Sequence, residues 1–247
     1  MKKVLNIENL SHSYHSSDGE TPAIDKLSLS ISEGEFISIV GPSGCGKSTL
    51  LSLIAGLFSP QKGQIAIDGN VGYMLQKDHL FEWRSIYRNI LLGLEIHHQV
   101  TPENKQMARH LLKQYGLDGF ERVKPSELSG GMRQRVALIR TLIMEPELLL
   151  LDEPFSALDY QTRLNVADEI GQIIRKEKRT AILVTHDLSE AISLGDRVIV
   201  LSKRPAYVKR DIALNFTLEN DTPLNRRDTP EFKTYFNEVW KELNENE

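Results

Sequence analysis

The chain has 247 residues, 40% of them hydrophobic and 26% charged, enough to bury the core of one large domain or of one domain with an inserted lobe. A formal net charge of -4 lacks the basic footprint that a dedicated nucleic-acid binder carries. A single cysteine, Cys45, excludes an internal disulfide, and no stretch reaches the roughly 18–20 apolar residues that cross a bilayer, so any membrane link is expected to run through a partner.

The opening segment, MKKVLNIENLSHSY, holds two lysines but no apolar run of signal-peptide length. Residues 4–10 read as a strand. Leu27, Leu29 and Ile31 alternate with Ser28, Ser30 and Ser32, the pattern of a half-buried strand over 27–31. Phe36 to Val40 is a compact apolar run that stops at a glycine, and a helical stripe of Leu50, Leu51, Leu53, Ile54 and Leu57 follows over Ser48–Leu57. Residues 64–67 read as another short strand. From 78 to 145 the patterns are helical, with few strand signals. The runs Leu148–Leu151, Ala181–Val184 and Val198–Leu201 read as buried strands of a largely parallel sheet, with a helix bearing Leu164, Ala167, Ile170 and Ile174 between the first two. After Asn215 the chain is polar, with Pro223 and Pro230. It then carries an aromatic stripe of Phe232, Tyr235, Phe236, Val239 and Trp240, expected as a core contact. Strands alternating with helices predict an α/β sandwich. The expected division is a core over 1–77 and 146–212, a helical lobe inserted over 78–145, and a tail over 213–247.

Two sites follow from the residues themselves. Gly41-Pro42-Ser43-Gly44-Cys45-Gly46-Lys47-Ser48 matches the phosphate-loop pattern G-x-x-x-x-G-K-[ST] in full, after a predicted strand and before a predicted helix. Glycines let successive backbone N–H groups turn toward a phosphate, and the helix start adds its dipole. Lys47 supplies a point charge between β- and γ-phosphates, and the Ser48 hydroxyl suits Mg²⁺, a hard ion that takes oxygen ligands. Cys45 is read as a small filler, or as a thiol whose alkylation would block ATP binding. At the end of the run Leu148–Leu151, Asp152 can reach the Mg²⁺ shell and Glu153 can polarise a water for attack on the γ-phosphate.

Leu128-Ser129-Gly130-Gly131-Met132 opens a helix bearing Val136, Ile139 and Ile143. On local grounds Ser129 is a helix cap, and the glycines leave that helix start open to an anion. Here the chain resembles the nucleotide-binding subunit of an ABC transporter, whose signature is Leu-Ser-Gly-Gly; Met132 departs from the more frequent glutamine. The resemblance covers about residues 4–212. It implies a P-loop NTPase (RecA-like) core with an antiparallel β subdomain and an inserted helical subdomain. It also implies that Tyr14 stacks on adenine, that the loop Gly41–Ser48 with Thr49 holds ATP, and that Gln76 senses γ-phosphate and Mg²⁺. By the same resemblance Ser156-Ala157-Leu158-Asp159 crosses to a second subunit, and His186 contacts the γ-phosphate. Each residue has a plainer alternative: Tyr14 as a surface or core tyrosine, His186 as a structural histidine, Asp159 as a helix cap.

The family works as head-to-tail dimers, so Ser129, Gly130 and Gly131 of one subunit are expected to close on the ATP held by Lys47 of another. Implied partners are a second ATP-binding subunit, integral membrane permease subunits and, indirectly, a solute-binding protein; no nucleic acid is expected. The implied location is peripheral, on the cytoplasmic face of the membrane. Phe81-Glu82-Trp83-Arg84, Ser202-Lys203-Arg204-Pro205 and Arg226-Arg227 resemble the nitrate, sulfonate and taurine importer branch, which also serves vitamin precursors. Locally, Trp83 and Arg84 also fit a packed tryptophan beside a solvated arginine. A soluble non-transport ATPase and an exporter motor are the alternatives. Against other rivals, the chain carries no long heptad insertion and no Asn-Lys-x-Asp guanine-reading sequence.

Overall fold

The computed structural model describes residues 2–17 and 19–244. Two sheets face each other. The larger is built on strands with no polar face to expose: β3 (Phe36–Val40), β6 (Leu148–Asp152) and β7 (Thr180–Val184) are buried along their whole lengths. Alternation then sends neighbouring residues to opposite layers. Ile37, Ile39, Leu148, Leu150, Ile182 and Val184 enter one core cluster, and Phe36, Leu149, Leu151, Ala181 and Leu183 enter the other.

The order of the larger sheet is β5-β6-β7-β3-β8-β9, where β5 is Val71–Met74, β8 is Arg197–Leu201 and β9 is Val208–Ala213. All pairs are parallel except β8 with β9. The smaller, antiparallel sheet has the order β2-β1-β4, from β1 (Lys3–Ser16), β2 (Gly19–Ser32) and β4 (Lys62–Ile67). Its Leu5, Ile7, Leu10, Leu27 and Ile31 share a cluster with Ile37 and Leu150 of the larger sheet, so helix α1 (Lys47–Ile54) is enclosed between the two.

Several boundaries differ from the sequence reading. β1 and β2 run well past 4–10 and 27–31, because polar residues from His12 to Ser16 stay paired with 19–24 in a long hairpin. Ladder bonds hold them extended where alternation gives no signal. β5 and β9 were not expected; both are edge strands, and β9 carries Lys209, Arg210 and Asp211. α1 stops at Ile54 rather than Leu57, since Gly56 takes a φ of 73° just beyond the cap, and Leu57 is 62% exposed.

The inserted helices α2 (Ile86–Ile90), α3 (Leu92–Ile96), α4 (Pro102–Gln114) and α5 (Gly130–Leu142) pack beneath the sheet with α6 (Tyr160–Lys176). Buried Asn89 fixes the turn ahead of them: its Nδ2 donates to the carbonyls of Phe81 and Ser85, each at 3.1 Å, and its Oδ1 accepts from the Phe81 N–H at 2.7 Å. That turn reverses the local alternative for its two residues. Trp83 is 73% exposed and stacks on Phe81, whereas Arg84 is half-buried and paired with Glu95.

The tail folds back as α8 (Pro223–Arg227) and α9 (Pro230–Asn244) against α7 (Leu188–Leu194) and β8. Phe232, Tyr235, Phe236 and Val239 join this core, but Trp240 is 57% exposed and stacks on Phe236, so the stripe is not wholly a core contact. Arg226 is the clasp. It is buried, donates to the Gly195 carbonyl at 2.6 Å and to Asp221 at 2.7 Å, and lies over the Phe216 ring. Arg226→Met leaves those acceptors unpaired and is expected to cost about 1–3 kcal/mol, a fall of about 2–4 °C in melting temperature per kcal/mol. The Arg226 hydrogen bonds hold the Asp221 carboxyl below its ordinary value of 3.8. The contribution is therefore complete above that ordinary value and is lost as pH falls through the depressed one. Thermal unfolding should show the full deficit at neutral pH and a narrower one below about pH 4. A deficit that is the same at both would contradict the ion-pair account.

Candidate active site

β3 ends at Val40, and the loop Gly41–Gly46 turns back into α1. Gly46 takes a φ of 126°, and a Cβ there would lie 3.0 Å from the Ala23 carbonyl, so only glycine closes this turn without strain. Lys47 is buried at the first helical position and donates to the carbonyls of Gly41 at 2.8 Å and Pro42 at 3.0 Å. Its ammonium is thus held over the loop. Cys45 faces inward, 1% exposed, and burial pushes its thiol up. That matches the filler role, and leaves its peptide rather than its side chain to meet a ligand.

Beside this loop, β6 delivers Asp152 and Glu153. Asp152 accepts from Tyr73 Oη at 3.2 Å; burial pushes its carboxyl up, against the lowering influence of the Tyr73 and Ser48 side chains. Burial, with the charge of Asp152, pushes the Tyr73 hydroxyl up to about 12. Glu153 sits at a φ of 46°, strained for a residue with a side chain. Its N–H donates to the Val184 carbonyl at 2.8 Å, and its carboxylate accepts from Gln76 Nε2 at 3.0 Å and lies 3.4 Å from His186 Nδ1. Glu153, His186, Lys47, Ser48, Thr49, Ser43, Gly44 and Gly46 line one cleft of about 420 Å³.

Tyr14 lies at the rim, 42% exposed, with its hydroxyl 3.1 Å from Thr49 Oγ1. Its ring meets His12 and Phe58 edge-on, at 5.3 and 6.2 Å. Tyr73, His12 and Phe58 escape sequence reasoning, because the hairpin and β5 bring together residues that no local pattern links.

The remaining predicted residues lie elsewhere. Ser129 Oγ accepts from the Met132 N–H at 3.4 Å and caps α5; Gly130 packs on Leu158, and Gly131 on Thr162 and Val166. Asp159 caps α6 through the Thr162 N–H at 3.1 Å, and its interaction with Thr162 holds the carboxyl below the usual range. None of these four lines the cleft that contains Lys47. Within one chain, the loop and the Ser129 helix start are separate surfaces.

A parallel sheet, a glycine loop at the carboxyl end of its central strand, and an acidic strand end beside it make a P-loop ATPase of the α/β class. The ABC transporter family model matches residues 24–156. Over 97% of this chain and 95% of its own length, the uncharacterised ABC transporter ATP-binding protein YtlC of Bacillus subtilis is 45% identical. The aliphatic sulfonates import ATP-binding protein SsuB of the same organism is 40% identical, covering 91% of this chain and 88% of its own. The nitrate import ATP-binding protein NrtD of Synechocystis is 38% identical over 95% and 93%. Among solved structures, the dimeric post-hydrolysis state of the ATP-binding cassette MJ0796 bound to ADP and Pi superposes with a TM-score of 0.75 at 31% identity, over 86% of this chain and 100% of that one. The chain belongs to the ABC transporter family. It is an ATP-binding, ATP-hydrolysing subunit with importer-type relatives.

Proposed function

We propose that this subunit powers import of a small solute through a membrane permease, and that Glu153, Gln76 and His186 carry its chemistry. The observation that carries the reading is Glu153. It closes β6 in a strained conformation, bonded to Gln76 and close to His186, and faces the cleft of the glycine loop. In that place its carboxylate orients a water and takes its proton as the water attacks the γ-phosphate. Gln76 holds the other side of that carboxylate, and His186 donates to the γ-phosphate. Lys47 and the loop peptides hold the β- and γ-phosphates, while Tyr14 offers its ring to adenine.

The donor set fits Mg²⁺. Mg²⁺ takes oxygen ligands and would need only one or two of them from the protein. The Ser48 hydroxyl and the Asp152 carboxylate, which lie at the neighbouring helix start and strand end, would supply them; the Gln76 amide oxygen is the other oxygen proposed there. When bound, the ion neutralises charge that develops on the phosphates.

Separation of the loop from the Ser129 helix start supports a head-to-tail pair of copies. Ser129, Gly130 and Gly131 of one copy then clamp the ATP held by Lys47 of the other, and Asp159 lies on the crossing loop. ATP favours the closed pair, and hydrolysis releases it.

The importer reading draws on SsuB and NrtD, whose names specify aliphatic sulfonates and nitrate; a small organic or inorganic anion is the corresponding solute class. No helix among the described residues is long and apolar enough to cross a membrane, so the membrane link falls to permease subunits on the cytoplasmic face. Exposed Trp83 and Leu75, close in sequence to Gln76, offer the apolar contact. A solute-binding protein then acts indirectly. Isolation of the N-terminally tagged protein from native membranes in mild detergent tests this directly. An integral membrane permease should co-purify; ribosomal or DNA-repair proteins without a permease would overturn the transport reading.

A further inference from the structure

We infer that Arg163, a residue outside the cleft, positions His186 in response to closure of the Ser156–Asp159 loop. The inference rests on the roles proposed above for Glu153 and His186. Arg163 stands in the first turns of α6 and reaches two segments at once. Its Nη2 donates to the Leu158 carbonyl at 3.0 Å, inside the loop. Its Nη1 lies 3.7 Å from Asp187 Oδ2, and its Nε 3.9 Å from Glu190 Oε1, both beyond His186.

The far side of the bridge is rigid. Asp187 caps α7 through the N–H groups of Ser189 at 2.8 Å and Glu190 at 3.2 Å. Glu190 is buried and accepts from Thr185 Oγ1 at 2.7 Å, while that same oxygen accepts from the Asp187 N–H at 3.0 Å. Thr185 and Asp187 therefore hold the peptide of His186 from both sides. A displacement of either carboxylate moves the imidazole against Glu153.

The contact to the loop is made, whereas the contacts from Arg163 to the two carboxylates are long. The bond to Leu158 has ordinary hydrogen-bond length, but both carboxylate contacts exceed it. The buried Nε of Arg163 has no hydrogen-bond partner among the described residues. A shift of about 1 Å closes these pairs into hydrogen bonds. The Leu158 end is where a second copy presses in the proposed dimer, so loop closure feeds directly into the guanidinium. Arg163 does not line the cleft and is a positioning residue.

The test is a double-mutant cycle on the full chain with ATP and Mg²⁺. Arg163→Gln should lower kcat on the order of 10- to 100-fold, as for a misplacement of about 1 Å, while the KM for ATP stays within about twofold. Arg163→Lys, which keeps a charge but not the planar fork, should recover part of the loss. In a His186→Ala background, Arg163→Gln should add no further loss, since the group it positions is gone. Multiplying losses in the double variant would overturn the proposal and leave the roles of Glu153 and His186 standing. So would an unchanged kcat for Arg163→Gln. Parent activity in His186→Ala itself would remove the proposed role of His186, and the proposal with it. Melting curves for each variant separate misfolding from misplacement, and Arg163→Lys carries the test should Arg163→Gln fail to fold.

Discussion

Glu153→Gln should lower steady-state ATP turnover by about 10²- to 10⁴-fold, the range for removal of a positioned general base. Nucleotide affinity should survive. The replacement keeps the volume of the side chain and its ability to pair with Gln76 and His186, so the strained turn at the end of β6 has no reason to collapse. What it loses is the capacity to take a proton. Lys47 and the glycine loop, the proposed phosphate holders, are untouched. Turnover and equilibrium ATP binding, measured on one preparation, separate the two functions. Undiminished turnover would remove Glu153 from the chemistry.

Lys47→Ala is expected to act on the other quantity. Removing the proposed charge-assisted donor to phosphate should weaken ATP binding about 10- to 100-fold, and turnover at low ATP should fall in proportion. The loss has a structural component as well. Lys47 is buried and spans the Gly41 and Pro42 carbonyls, so alanine also loosens the loop that presents the peptide N–H groups. ATP titration by calorimetry checks this, and an unchanged isotherm would contradict it. Together the two substitutions divide the cleft into a binding half and a reacting half.

Much of this cleft was legible in the sequence, for a local reason. The loop's chemistry demands glycines, a lysine and a hydroxyl at fixed spacing, and those residues are contiguous. β3, β6 and β7 were legible because strands buried on both faces leave unbroken apolar runs. What stayed hidden depends on topology. Tyr73 meets Asp152 only because β5 pairs beside β6, and nothing local to a four-residue edge strand announces it. The His12, Tyr14 and Phe58 cluster needs the long hairpin to lie against the end of α1. β9 pairs antiparallel at the sheet edge, with charged side chains that interrupt alternation. Arg163 looks like one more polar residue on a helix until α6 and the His186 turn are seen side by side. The tail was legible as amphipathic but not as a clasp, since Arg226 gains its meaning from carbonyls 31 and 33 residues away.

The Ser129 helix start of one copy is expected to meet the Lys47 loop of another, and within one chain the two occupy separate surfaces. Two copies resolve this if each completes the other's cleft. The most direct measurement is the solution mass of Glu153→Gln by light scattering, with ATP and then with ADP, each with Mg²⁺. ATP should give twice the 28.0 kDa of one chain, and ADP should return the single chain. A single-chain mass with ATP demonstrably bound would contradict the closed pair.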